Sequence, residues 1–220
     1  MLVAMTTWIV LLRGVNVGGR RKLPMAALRE LLAEVGFENV RTYIQSGNVV
    51  LDSPDGDRDS VAHSVQGAIE ERFGFAPHTF VLGVDAFDAA IDANPFPQSE
   101  QDPKAVHFFF LAEPDPAADL DGLRELATQG EEFVLTERVL YLHTPNGFGR
   151  SRLVERMHRF IEAETTARGD SLAAEATKLA SRMLRSLRVA PASPGFPGQD
   201  ETRRRESWCQ RSCRRLPYSV

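Results

Sequence analysis

Cysteine is almost absent from this 220-residue chain: Cys209 and Cys213, both near the C-terminus, are the only two. A disulfide framework is excluded for the first two hundred residues, and such sparing use fits a reducing compartment. A structural zinc site wants four ligands. No histidine follows His158, so the two cysteines read as free thiols, and neither a metal nor a cofactor is expected. Long apolar runs are missing too. None approaches the ~20 residues of a membrane-spanning helix. The run Trp8–Leu12 stops at Arg13, too soon for a signal-peptide core. The expectation is a soluble cytoplasmic chain with no membrane partner. Net charge is small as well, −4 at pH 7.

That small total hides segregation. Residues 1–50 hold six Lys/Arg and three Asp/Glu, residues 51–135 four and eighteen, residues 136–188 ten and six, and residues 189–220 six and three. Basic ends thus flank an acidic middle. Basic segments that meet in space give an anion somewhere to bind; merely solvated faces would leave the same pattern. With 43% hydrophobic and 25% charged residues the chain has ordinary globular usage, which excludes disorder of the whole.

Read along the chain, Trp8–Arg13 is a short apolar run, a buried strand by its brevity. Gly14–Lys22 is a loop rich in glycine and basic residues. Pro24 suits a first helical turn. Met25, Leu28, Leu31, Leu32 and Val35 then recur at helical spacing, and Gly36–Phe37 is a helix stop. In Asn39–Gln45, Val40, Thr42 and Ile44 are expected on a covered face, with Arg41, Tyr43 and Gln45 opposite. Ser46–Gly47 turns the chain into Asn48–Leu51. A helix over Arg58–Phe73 and a strand His78–Leu82 complete a β-α-β-β-α-β unit, the ferredoxin-like order.

The order then restarts. A linking helix Asp85–Asp92 precedes a strand Ala105–Leu111, a helix Ala117–Thr128, a hairpin of Glu132–Leu135 with Val139–His143, and a helix Ser151–Ala163. No final strand is evident. Ser171–Arg188 can form a helix, and the Pro- and Arg-rich remainder reads as a disordered basic tail. The expected fold is α+β: two tandem ferredoxin-like subdomains with antiparallel sheets and helices on one face. Residues 1–83 form the first, 84–188 the second with its C-terminal helix, and 189–220 the tail.

The stretch LLRGVNVGGRRKLPMAALRELLAEVGFENVRTYIQSGNVVL closely resembles the opening of the DUF1697 family of bacterial proteins: Leu-Leu-Arg-Gly, Asn-x-Gly-Gly, a helix ending in Gly-Phe, then Arg-Thr-Tyr-Ile-Gln-Ser-Gly-Asn-Val-Val. Asn94–Pro95–Phe96 and the region Tyr141–Leu153 are similar as well, so the resemblance spans most of residues 6–167. Such proteins close on Thr-x-Arg-Asn-aromatic. Thr166 and Arg168 match, whereas Gly169 and Asp170 depart from that pattern. The resemblance implies an α+β fold of ferredoxin-like halves. It implies no established activity, cofactor or catalytic residue.

Two constellations are candidate sites. Gly14–Lys22 places glycines between a strand and a helix, a setting that turns backbone N–H groups toward an anion. Arg13, Asn16, Gly18, Gly19 and Lys22 are its candidate ligand residues, with Arg20 and Arg21 adding charge. It is neither Gly-x-Gly-x-x-Gly nor a P-loop, and a tight turn that needs glycine's freedom would look the same. The second is Arg41, Tyr43, Gln45, Ser46 and Asn48, on an open sheet face or in the cleft between halves. An aromatic with hydrogen-bonding neighbours can stack and read bases; a solvated face, or one packed on the second half, competes.

Catalytic templates are not met. Ser46 lies in Gln-Ser-Gly, not a nucleophile elbow. Asp52, Asp55, Asp57 and Asp59 lack a calcium loop's glycine and terminal Glu. His107 and His143 sit in apolar strands as core residues. No catalytic residue is assigned, and whether the chain is an enzyme stays open. Three readings follow: a binder of a phosphorylated or otherwise anionic small molecule, such as a nucleotide, through both constellations; a nucleic-acid binder using the open sheet and the Arg-rich tail; or a protein-interaction module with no catalytic activity. The first ranks ahead.

Overall fold

The structure, a computed structural model, describes residues 5–97, 101–128, 130–169 and 173. The expected helix at Ser171–Arg188 and the basic tail with its cysteines lie outside the described residues, Ala173 excepted. All described residues belong to the compact unit Met1–Arg188.

Strand β1 (Thr6–Leu12) leads through the basic loop to helix α1 (Met25–Glu34). Strands β2 (Glu38–Tyr43) and β3 (Asn48–Ser53), helix α2 (Arg58–Phe73) and strand β4 (Thr79–Gly83) follow. The antiparallel sheet runs β2-β3-β1-β4. Helix α3 (Val84–Asp92) connects to strand β5 (Val106–Leu111), helix α4 (Leu120–Leu126), strands β6 (Glu132–Leu135) and β7 (Val139–His143), helix α5 (Arg152–Arg156) and strand β8 (Thr165–Gly169). The second sheet runs β6-β7-β5-β8 and repeats the topology of the first. The molecule is therefore an α+β protein of tandem ferredoxin-like subdomains.

The apolar runs are explained by burial on both faces. Along β1, Trp8, Val10 and Leu12 enter the core beneath α1 and α2. Ile9 and Leu11 point the other way and join Val50, Phe80, Phe108, Phe110, Val139 and Tyr141 in one cluster with Val84 and Phe87 of α3. In the second half Phe109, Leu140 and Leu142 pack with Leu123 and Leu153. The faces that the helices leave free thus share one apolar layer built from both halves. Within it Phe87 stacks on Phe110 at 5.1 Å, and Phe108 meets Tyr141 edge-on at 5.4 Å. The Tyr141 hydroxyl donates to Ala90 O at 2.7 Å, tying α3 to β7.

Several expectations are corrected. The second half does have a last strand, β8, which pairs with β5 from His107↔Gly169 to Leu111↔Thr165. Its sequence, TTARG, is too polar and small to read as a strand alone; pairing at the sheet's edge creates it. Ser151–Ala163 is not one helix: α5 ends at Arg156 and a 3-10 turn, Met157–Arg159, follows. Helix α4 is shorter than expected. Alternation in β2 is broken by a bulge between Glu38 and Arg41, where Asn39 has φ +50°. Ile44, expected on the covered face, lies in the turn with φ +49°, 52% exposed. Positive φ is an outlier for a β-branched residue.

The acidic run 52–59 serves local structure. Asp57 caps α2 by accepting from Ser60 N at 2.8 Å, and Asp55 accepts from Asp57 N at 2.9 Å. Hydrogen bonds from Ser60 and then Asp57 hold the Asp55 carboxyl below its usual range. Asp52 is buried and accepts from Thr7 Oγ1 and Asn39 Nδ2.

If the shared layer is the main core, Phe108→Ala costs about 3–5 kcal/mol, while Val134→Ser on an exposed edge changes stability by less than about 0.5 kcal/mol. Denaturant midpoints measure both. A Phe108→Ala cost below about 1 kcal/mol would contradict this assignment.

Candidate functional site

The basic loop is a small hairpin of its own. Val17 bridges Arg20 across Gly18 and Gly19, whose φ values are +60° and +73°. Two consecutive positive φ angles make the tight turn that glycine allows at no steric cost. At its base Asn16, with φ +56°, donates its backbone N–H to Arg21 O at 3.1 Å. Its side chain is committed to the chain itself. Nδ2 donates to Leu23 O at 2.9 Å and to Gln45 O at 2.7 Å, and Oδ1 accepts from Leu23 N at 2.8 Å. Both donors of the carboxamide are used, so Asn16 pins the loop to the β2–β3 turn and does not face outward as a ligand group would.

A second contact tightens this junction. Leu12 N donates to Gly47 O at 2.8 Å. A Cβ on Gly47 would stand 2.6 Å from Val15 Cγ2 and 2.8 Å from Leu12 Cβ. Only glycine allows the turn to lie so close to the end of β1. The two candidate constellations are therefore one surface on one frame.

Beneath the frame lies Arg168, which belongs to neither candidate loop. It is 6% exposed. Its Nε donates to Asn48 Oδ1, Nη1 to Thr166 Oγ1 at 2.9 Å and Ala167 O at 2.7 Å, and Nη2 to Leu12 O at 3.2 Å. All these acceptors are neutral, and among the described residues no carboxylate forms an ion pair with it. Burial pulls Arg168 down to about 10, which leaves it charged at neutral pH. β8 delivers it: Arg168 pairs with Phe108 and so points into the shared layer. The one sequence signal was its match to the Thr-x-Arg of the family pattern.

The expected site residues separate into two groups. Arg13 is held by an ion pair with Glu164 of the second half. Asn48 is buried, its Nδ2 donating to Ser46 Oγ at 2.8 Å and Tyr43 O at 3.3 Å. Arg13, Asn16, Ser46 and Asn48 thus build the frame. Gly18, Gly19, Lys22, Arg41 and Gln45 are exposed, and Tyr43 is half-buried opposite Asn48. Arg20 and Arg21 are exposed too, and among the described residues Arg20, Arg21, Lys22 and Arg41 have no carboxylate partner. Arg29 of α1 donates to Thr42 Oγ1 at 2.7 Å, and Arg29 and Arg41 line one shallow depression. Val17 and Ile44, 66% and 52% exposed, stand one residue from the Asn16–Gln45 bond.

His107 and His143 lie in the second half. His107 stacks on Phe148 at 4.1 Å, and burial lowers its pKa. His143 is buried beside Phe96. Among the described residues no group of three His, Cys, Asp or Glu could hold a metal, and no helix is long and apolar enough to cross a membrane.

Asn16→Asp keeps the shape but sets a carboxylate against two carbonyls, and should cost about 1–3 kcal/mol. Gly47→Ala should cost more, roughly 2–5 kcal/mol, from positive φ plus overpacking. Thermal or denaturant unfolding checks both. An Asn16→Asp protein of unchanged stability would show that the side chain is not the brace described.

In comparisons with known proteins, the DUF1697 family, described as a protein of unknown function, matches residues 5–141. Among solved structures, the conserved bacterial protein SP0830 from Streptococcus pneumoniae superposes with a TM-score of 0.62 at 22% identity, covering 80% of this chain and 99% of that one. At that identity the likeness establishes the fold alone. No curated protein matches the chain. The family match covers more than half of the chain and includes both the loop and the hairpin that form the frame, so the chain belongs to the DUF1697 family.

Proposed function

We propose that the protein binds a phosphorylated small molecule, a nucleotide in the first instance, on the rim formed by the Gly14–Lys22 loop and the Arg41–Asn48 hairpin. The observation that carries this reading is the set of exposed cations Arg20, Arg21, Lys22 and Arg41, which lack carboxylate partners among the described residues. Surface cations are common, but these stand on a frame held by Asn16 and Gly47. Preorganised charge loses less entropy on binding. The buried Arg168 charge, unmatched by an acid among the described residues, adds positive potential from below. Exposed Val17 and Ile44 next to the cations favour a ligand with an apolar face, such as a base, over bare phosphate.

Nucleic acid is the second reading. The first sheet's second face packs in the shared layer, so it offers bases no open platform, and among the described residues the basic rim would have to carry binding. Salt separates the two: a polymer held by several phosphates weakens steeply with salt.

The test is a thermal-shift titration of the full chain with ADP, pyrophosphate and a single-stranded oligonucleotide. ADP at a hundred times its dissociation constant should add about 2.7 kcal/mol of stability. The triple variant Arg20→Gln, Arg21→Gln, Lys22→Gln should lose that gain and keep its unliganded melting temperature. Absence of any shift, or the same shift in the triple variant, would reject the rim as the site.

A further inference from the structure

A cavity of about 230 Å³ runs along the outer edge of β4, and its lining includes no residue of the Gly14–Lys22 loop or the Arg41–Asn48 hairpin. It wraps that edge: Phe80 and Leu82 line it from one face of the strand, Val81 and Ala62 of α2 from the other. Phe110 and Val139 of the second half and Ala86 and Ala90 of α3 close it. The space exists because alanines stand where larger side chains would fill it, and because Phe110 is held against Phe87.

Polar groups enter from two sides. Arg13 N donates to His78 O and Leu12 N to Gly47 O. Hydrogen bonding alternates along an antiparallel pair. Phe80 and Leu82 therefore turn their backbone groups to β1, and Thr79 and Val81 turn theirs outward along the cavity. Arg138 lines the opposite wall. Its Nη1 donates to Ala112 O at 2.8 Å, which anchors the guanidinium, and no carboxylate pairs with it among the described residues. Arg58, also in the lining, is already paired with Asp59 at 3.0 Å.

We propose that this cavity binds a small aromatic carboxylate, its ring against Phe80, Leu82 and Phe110 and its acid group on Arg138. Size sets the class: an apolar cavity of about 150 Å³ accepts benzene. The larger space here takes one ring with a short acid arm. The fixed guanidinium selects a planar carboxylate, which it can bind through two parallel hydrogen bonds.

The test is an NMR titration of the full-length protein with phenylacetate, and with toluene as the neutral control. Saturable shifts at Ala86, Ala90 and Phe110 are expected, with toluene at least tenfold weaker. Arg138→Gln should weaken phenylacetate about tenfold, the equivalent of 1.4 kcal/mol, and leave toluene unchanged. Ala86→Phe, at an exposed position of α3, should block both ligands; if it fails to fold, Arg138→Gln decides alone. Shifts confined to Arg20–Lys22, no saturation, or equal binding of both ligands with no effect of Arg138→Gln would overturn the proposal.

Discussion

Each four-stranded sheet buries one face under its own helices and leaves the other apolar. Ile9, Leu11, Val50 and Phe80 on one side, and Phe108, Phe110, Val139 and Tyr141 on the other, could not stay exposed without inviting association. Joining them in one layer resolves both problems at once. The layer also places β8 so that Arg168 reaches Leu12 and Asn48 across the junction. Four hydrogen bonds to neutral acceptors keep that guanidinium satisfied without cancelling its charge. The halves are thus held by apolar area in the middle and by a polar clamp at one end.

That clamp lies directly under the surface proposed to bind ligand. Asn48 accepts from Arg168 and donates to the β2–β3 turn; Gly47 receives Leu12 N; Asn16 ties the turn to the basic loop. The side chains with the most suggestive chemistry in the sequence are largely used to hold the backbone. The charges they hold in place are the ones left without carboxylate partners among the described residues. A binding surface of this kind gains from rigidity, since cations already fixed in position lose little freedom when an anion arrives.

Much of the fold was legible because its signals are local. Helical spacing from Met25 to Val35, the spacing of Val61, Val65, Ala68 and Ile69 in Arg58–Phe73, and the continuous apolar run Val106–Leu111 each identify an element. β8 was not legible, since Thr165–Gly169 has no strand signal and becomes a strand only through β5. The Ile44 turn was missed because alternation was extended past the point where Asn16 and Gly47 bend the chain. For the candidate site, the sequence marked the two loops that the structure brings together but could not assign directions. Nothing in Asn16 as a letter says that both its donors face carbonyls 7 and 29 residues away. Arg168 was hidden for the same reason, its partners Asn48 and Leu12 being more than a hundred residues distant. The β4 cavity, lined from both halves, has no signature in any single segment.

The central claim is that the halves share one core, and native-state hydrogen exchange tests it most directly. The amides of Val49–Leu51 in β3 and of Leu140–Leu142 in β7 report the two halves separately. With one shared core, both sets exchange with a common free energy of opening, and Leu11→Ala in the first half lowers protection in β7 as much as in β3. Two distinct opening energies, with Leu11→Ala leaving β7 untouched, would mean that each half is stable alone and that the shared layer is only a contact.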